Sequence, residues 1–109
     1  MSILQELADV LEQRKTESPD ISYVASLYQR GTNKILEKIG EEATEVIIAA
    51  KDIDQSAEAN KALVQEVADL WFHCMVMLAH KNIDVDDVLL ELRGRFGIGG
   101  HAEKASRDH

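Results

Sequence analysis

Apolar residues recur at steps of three and four along almost the whole chain, which is the period of an amphipathic α-helix. Ser2 followed by Gln5 forms a capping-box pattern ahead of the first apolar stripe. Asp84 is placed to cap the last helix, and Gly94 is placed to end it. The pattern predicts five helices, over about residues 3–14, 22–31, 33–51, 57–81 and 84–94. Because the connections are short, the predicted fold class is all-α, an antiparallel bundle of about five helices.

The segment 93–109 differs from the rest of the chain. It carries four basic and two acidic residues, whereas the whole chain has a net charge of −8. Three of the six glycines fall between Gly97 and Gly100. We therefore expect a helical domain over residues 1–92, with a basic, glycine-containing flexible tail of the same domain over residues 93–109.

The composition excludes several classes of protein. A chain of 109 residues has room for one domain, and its net charge of −8 argues against a general nucleic-acid binder, which needs a basic surface. The single cysteine, Cys74, excludes a disulfide framework. No apolar run approaches membrane-spanning length, and acidic residues stand where a leader peptide would be basic. We expect a cytoplasmic protein with neither a membrane nor a nucleic-acid partner.

The fourth predicted helix is apolar almost all the way round. Its core face consists of Leu63, Val67, Leu70, Trp71, Cys74 and Leu78. Its opposite side carries Val64, Ala68, Phe72, Met75, Val76 and Ala79. In so short a chain a helix of this kind needs partners on both sides, which predicts a tight homo-oligomer without fixing the number of subunits.

Two pairs of acids border the apolar faces of the third and fourth helices. Glu42 and Glu45 form one pair, and Glu66 and Asp69 form the other, each at a spacing of one helical turn. If the two helices pack antiparallel, the four carboxylates converge, and their repulsion favours a hard divalent cation such as Mg²⁺ or Mn²⁺. Such a centre suits phosphoanhydride chemistry. The alternative is that the acids are ordinary solvated surface groups.

The sequence around these acids resembles a known group of enzymes. Glu42-Ala-Thr-Glu45, a gap of twenty residues and Glu66-Val-Ala-Asp69 resemble the signature of the MazG-like all-α nucleoside-triphosphate pyrophosphatases. The longer blocks, residues 38–51 and 66–73, are similar to the phosphoribosyl-ATP pyrophosphatase family of histidine biosynthesis. The resemblance implies a homodimer that hydrolyses phosphoribosyl-ATP to phosphoribosyl-AMP and pyrophosphate with Mg²⁺.

By the same resemblance, Glu42, Glu45, Glu66 and Asp69 correspond to the metal ligands and catalytic groups. The sequence leaves open which of them acts as the general base, because coupled carboxylates titrate as a group.

Cationic and imidazole side chains near these acids and in the tail are candidates for binding substrate phosphates. They are Lys38, Lys51, His73, Lys104 and Arg107. The two lysines flank the acids as point charges, and the tail residues are placed to close over an anion. His73 lies one turn after Asp69, where it either reaches the site or is a partly buried core histidine.

Two other functions stay open at the level of sequence. A house-cleaning enzyme that hydrolyses non-standard nucleoside triphosphates to monophosphates would use the same four acids and differ only in its substrate pocket. A non-enzymatic helical dimerisation module would need the apolar fourth helix and none of the acids.

Overall fold

The structure is a computed structural model that describes residues 2–51, 54 and 56–98. Five α-helices run through these ranges: α1 Ile3–Gln13, α2 Tyr23–Arg30, α3 Thr32–Lys51, α4 Ala57–His80 and α5 Val85–Phe96. A short 3₁₀ turn, Arg14–Thr16, follows α1, and the described ranges contain no strand. The predicted all-α fold class with five helices is confirmed.

Side-chain caps fix where the helices begin. The Ser2 hydroxyl accepts from the Gln5 backbone N–H while the Gln5 side chain accepts from the Ser2 backbone N–H, which is the predicted capping box. Single side-chain bonds cap α2, α4 and α5, where Ser22, Ser56 and Asp84 accept from the backbone N–H groups of Ala25, Ala59 and Asp86. Each cap satisfies a backbone N–H that the helix itself leaves without a partner, so the local sequence alone sets these starts.

The longest helices, α3 and α4, form the most extensive helix pair, and α1 packs against α4 and α5 while α2 packs against α3. The short connection between α3 and α4 makes them antiparallel neighbours. Every helix contributes to the buried core, which consists of Leu11, Leu27, Ile35, Met75, Val76 and Val85. The core therefore involves the start of α3 and the end of α4. The far ends of these two helices leave Ile47, Ile48 and Val64 exposed.

The expectation that no apolar run approaches membrane-spanning length is wrong for α4. By length and composition α4 is able to cross a membrane, with a mean hydropathy of 1.3 over an 18-residue window of which 17% is buried. One such helix is weak evidence of a membrane span, since a core helix passes the same test. Any 18-residue window of α4 contains Glu66 and Asp69, which would be costly in hydrocarbon.

The predicted end of the last helix at Gly94 is also wrong. The helix α5 continues through Gly94 to Phe96, and Gly97 caps it at φ 64° in the left-handed region. The backbone N–H groups of Gly97 and Ile98 both donate to the Arg93 carbonyl, which closes the helix. Glycine ends a helix where the backbone needs positive φ, and that need falls at Gly97. The tail boundary predicted at Arg93 thus lies inside α5, and residues 99–109 lie outside the described ranges.

Alanine substitution should change the free energy of unfolding in opposite directions at Gly94 and Gly97. At Gly94 a new Cβ meets nothing within 4 Å, so Gly94→Ala should raise the free energy of unfolding by about 0.5–1 kcal/mol through helix propensity. Gly97→Ala should lower it by about 1–2 kcal/mol, because alanine is strained in the left-handed region. Urea unfolding at equal protein concentration measures both. A stabilising Gly97→Ala would contradict the assigned helix end.

Candidate metal and active site

A cluster of three acids forms where α3 faces α4. Glu42 and Glu45 lie one turn apart on α3, and Glu66 lies on α4. Each offers one carboxylate oxygen, and these oxygens all lie within 4.8 Å of one another. The helical spacing places the two α3 acids on one side of their helix, and the packing of α4 brings the third against them. The structure thus brings together three of the four predicted ligands, which we call the carboxylate cluster.

Two oxygens of the carboxylate cluster are buried without a partner. Glu42 is 8% exposed, which is unusual for a carboxylate. Within the described part of the chain, Oε2 of Glu42 and Oε2 of Glu66 are buried and make no hydrogen bond. A buried carboxylate oxygen without a donor or a cation costs free energy, so the fold favours a positively charged partner at these two atoms.

Crowding also changes the protonation of the carboxylate cluster. Burial raises the pKa of Glu42 above its ordinary 4.5, the charges of Glu45 and Asp69 raise it further, and His73 acts in the opposite direction. The Glu45 carboxyl, which favours the protonated form of Glu66 by accepting a hydrogen bond from it, raises the pKa of Glu66, and burial and the neighbouring charges add to the rise. In the absence of a cation these acids therefore keep protons at a pH where an isolated glutamate is ionised.

The fourth predicted acid, Asp69, borders the carboxylate cluster without joining it. It lies one turn after Glu66 on α4 and is exposed. Its charge raises the pKa of Glu42, which shows that it acts on the cluster electrostatically. Asp69 thus lies at an exposed position one turn from Glu66.

The two predicted lysines occupy different positions. Lys38 lies one turn before Glu42, and its Nζ is 2.9 Å from Oε2 of Glu41. Hydrogen bonding to Glu41 raises the pKa of Lys38, burial opposes the rise, and the charges of Glu41 and Glu42 add to it. Lys38 is therefore a cation at the edge of the carboxylate cluster. Lys51 is exposed at the end of α3, more than one turn beyond Glu45.

His73 is a buried histidine with both ring nitrogens in use. It is 5% exposed, and its Nδ1 lies 2.8 Å from the backbone carbonyl of Asp69. A carbonyl only accepts, so Nδ1 carries the proton, and in the neutral ring Nε2 accepts from the Tyr23 hydroxyl at 2.9 Å. The geometry favours the core-histidine interpretation of His73 over direct contact with substrate.

Sequence reasoning missed the part played by Tyr23. The two partners of this hydrogen bond are 50 residues apart, and no periodicity links them. Helix-wheel arithmetic on α4 places His73 one turn after Asp69, but it contains no information on what α2 presents to it. The tail candidates Lys104 and Arg107 lie outside the described residues.

The donor set of the carboxylate cluster fits a hard divalent cation. Carboxylate oxygens are the ligands that Mg²⁺ and Mn²⁺ prefer, and two of the oxygens are buried without another partner. Fold and site together define the class, which is an all-α protein with an oxygen-donor centre between its two longest helices.

The chain belongs to the phosphoribosyl-ATP pyrophosphohydrolase family, which matches residues 4–96. A relative from Methylococcus capsulatus named phosphoribosyl-ATP pyrophosphatase is 60% identical over 107 residues, which cover 98% of this chain and 97% of the relative. A relative of the same name from Hydrogenovibrio crunogenus is 54% identical over 105 residues, covering 96% and 92% of the two chains. The resemblance drawn from the carboxylate blocks is confirmed.

The raised pKa values predict how stability depends on pH when metal is chelated. Glu42 and Glu66 hold more protons in the folded than in the unfolded chain, so they make the free energy of unfolding fall as pH rises from about 4.5 through their folded pKa values. Glu42→Gln should flatten that fall, as measured by urea unfolding in chelator at a series of pH values.

Glu37, on the same helix, is a control for which stability should depend on pH in the opposite direction. Hydrogen bonding to Lys34 lowers its pKa, so its contribution is present above pH 4.5 and is lost as pH falls through the folded value. Glu37→Gln should therefore remove stability above pH 4.5, by a small amount because the pair is exposed. If the free energy of unfolding of Glu42→Gln fell with pH as steeply as that of the wild type, the raised pKa assigned to Glu42 would be wrong.

Proposed function

We propose that this chain hydrolyses phosphoribosyl-ATP to phosphoribosyl-AMP and pyrophosphate, the second step of histidine biosynthesis. The observation that carries the proposal is the carboxylate cluster with its two unpaired buried oxygens, in a member of the phosphoribosyl-ATP pyrophosphohydrolase family. Water adds across the α–β phosphoanhydride bond, one phosphate keeps the nucleoside, and the other two leave as pyrophosphate. We propose the cytoplasm as the location of this activity, in keeping with the biosynthetic step to which the relatives point.

Glu42, Glu45 and Glu66 would hold Mg²⁺, or Mn²⁺ as a substitute, and Asp69, exposed one turn after Glu66, is the fourth ligand that we propose. When bound, such a cation offsets phosphate charge and orients water for attack on phosphorus. The protein's own contribution is rigidity, since Glu42 is buried and its helix is packed against α4, which fixes the donor oxygens before substrate arrives.

Substrate phosphates need cations at the edge of the carboxylate cluster. Lys38 could leave its exposed partner Glu41 and bind a phosphate oxygen instead. The exchange would cost little, because a surface ion pair of this kind contributes little stability. Lys51 is further along α3 and would meet a more distant part of the substrate. Lys104 and Arg107 remain our candidates in the tail.

The house-cleaning alternative uses the same centre and differs in its substrate. Plain nucleoside triphosphates share the α–β bond with phosphoribosyl-ATP but lack the second ribose phosphate. The family assignment favours phosphoribosyl-ATP as the substrate. Activity on plain triphosphates alone would instead favour the house-cleaning function.

The direct test is pyrophosphate release from phosphoribosyl-ATP, with ATP and other nucleoside triphosphates alongside, with and without Mg²⁺. We expect turnover of phosphoribosyl-ATP that requires Mg²⁺. Glu42→Gln should lower kcat by about 100-fold or more, because it removes fixed charge from the reacting centre. The Mn²⁺-induced rise in Tm should shrink in Glu42→Gln and Glu66→Gln.

Glu41→Gln is the matched control, since Glu41 lies next to Glu42 in sequence but is exposed outside the carboxylate cluster. It should keep the metal-induced rise in Tm. No turnover of any nucleotide, together with a rise in Tm that survives in every cluster variant, would leave only the helical dimerisation module.

We also propose that the protein is a homodimer. Trp71, at 58% exposed, lines an apolar groove of about 210 Å³ with residues of α1, α4 and α5, among them Leu4, Leu78 and Leu92. The predicted assignment of Trp71 to the core face and of Val64 to the opposite face is therefore wrong: Trp71 is exposed, and Val64 lies about two turns before it on the same side of α4, where it extends this apolar surface. The occupant we infer is the same surface of a second copy, because a continuous apolar face on a small helical chain needs an apolar partner.

Trp71→Glu should convert the dimer to a monomer in sedimentation velocity, since a charge would replace an aromatic side chain at the centre of the contact. Ile21→Glu, an equally drastic change at an exposed residue outside α4 and α5, should leave the dimer intact. A wild-type chain that sediments as a monomer at every concentration would refute the dimer.

A further inference from the structure

Tyr23 combines a fixed hydroxyl with an exposed ring. Its hydroxyl donates to Nε2 of the buried His73 at 2.9 Å, while the residue as a whole is 51% exposed. A surface tyrosine ordinarily turns its hydroxyl to water, whereas this one is turned to a partner inside the protein. The hydrogen bond and the backbone of α2 hold the ring at both ends, so its orientation is set before any ligand arrives.

Phe72 extends the aromatic surface that Tyr23 begins. The two ring centroids are 6.4 Å apart with planes inclined by 24°, and His73 meets both rings edge-on. Tyr23 and Phe72 line one groove of about 350 Å³, whose remaining walls come from the outer side of α1 and the segment before α2. The result is an open groove with a rigid aromatic wall.

Two hydrogen bonds connect this groove to the part of α4 that borders the carboxylate cluster. His73, which accepts from the Tyr23 hydroxyl, donates from Nδ1 to the backbone carbonyl of Asp69, and Asp69 lies one turn after Glu66 of the cluster. A molecule whose anionic end meets a cation held by the carboxylate cluster and whose flat end lies in the groove would engage both surfaces.

We propose that Tyr23 and Phe72 form the stacking surface for the adenine base of the substrate, with His73 as a positioning residue that holds the Tyr23 ring. The inference rests on the proposed function, which supplies an adenine nucleotide. The hydroxyl proton of Tyr23 is already donated to His73, so the ring is the part of Tyr23 that remains to contact a ligand. Trp71, the other aromatic candidate on α4, lies in the separate apolar groove assigned to the second copy.

The test compares two probes that share the triphosphate and differ in the base. Calorimetric titration with Mg²⁺ would use α,β-methylene-ATP, which resists cleavage at the α–β position, and tripolyphosphate. Tyr23→Leu should weaken the binding of α,β-methylene-ATP by about 10-fold, the usual scale of a base–aromatic stack. It should leave the binding of tripolyphosphate unchanged. Phe72→Leu should act in the same direction, which keeps the test available if one variant folds poorly.

The role of His73 has its own readout. Tyr23→Phe keeps the ring and removes the hydrogen bond. It should therefore weaken the binding of α,β-methylene-ATP by less than Tyr23→Leu does. The effects of His73→Leu and Tyr23→Phe on binding of this ligand should be less than additive, because each change removes the hydrogen bond between the two side chains. Tyr28→Phe is the matched control: Tyr28 is the other tyrosine of α2, and its hydroxyl donates to the Leu11 carbonyl. It should bind both probes as the wild type does.

Each outcome decides a separate claim. Equal weakening of both probes in Tyr23→Leu, or no weakening of either, would overturn the base site. If Tyr23-dependent binding of α,β-methylene-ATP is found in a protein that does not turn over phosphoribosyl-ATP, the proposed function fails and the base site stands. For an active enzyme, Tyr23→Leu should raise KM for phosphoribosyl-ATP more than it lowers kcat.

Discussion

The carboxylate groups of Glu42, Glu45 and Glu66 repel one another at the surface where α3 packs on α4, and the apolar contacts of the same two helices hold them there. The arrangement of the site depends on this balance between repulsion of the acids and packing of the helices. Because the core side chains Ile35 and Val76 anchor the two helices, the acids cannot separate without loss of buried apolar surface. A divalent cation between them would replace repulsion by attraction, and the fold would supply it with oxygen ligands whose arrangement is set in advance.

In the nucleotide-binding mode that we propose, the groups around the carboxylate cluster contact different parts of the nucleotide. Lys38 stands at the edge where phosphate would arrive, and Tyr23 with Phe72 forms a flat wall further out. His73 links these parts, since one ring nitrogen bonds to the backbone of α4 and the other to the hydroxyl from α2. The exposed apolar face around Trp71 lies apart from these groups, which leaves it for contact with a second copy.

Local features of the structure followed from the sequence because local physics decides them. The Ser2 cap, the period of the helices and the one-turn spacing of Glu42 and Glu45 need no knowledge of the tertiary fold. The end of α5 depended on which glycine takes positive φ, and the sequence pattern does not distinguish Gly94 from Gly97. The pairing of Tyr23 with His73 depended on how α2 packs beside α4, which no single-helix pattern contains.

The most direct test of the central claim is the number of protons released when Mn²⁺ binds, obtained by calorimetry in two buffers of different ionisation enthalpy. Burial and mutual repulsion raise the pKa values of Glu42 and Glu66 above 4.5, so these acids are partly protonated just above that pH and must lose protons to bind a cation. We expect Mn²⁺ binding to release protons at pH values above 4.5 at which these acids are still partly protonated, and we expect Glu66→Gln to reduce that release. Binding of Mn²⁺ with no proton release, or with the same release in Glu66→Gln, would contradict it.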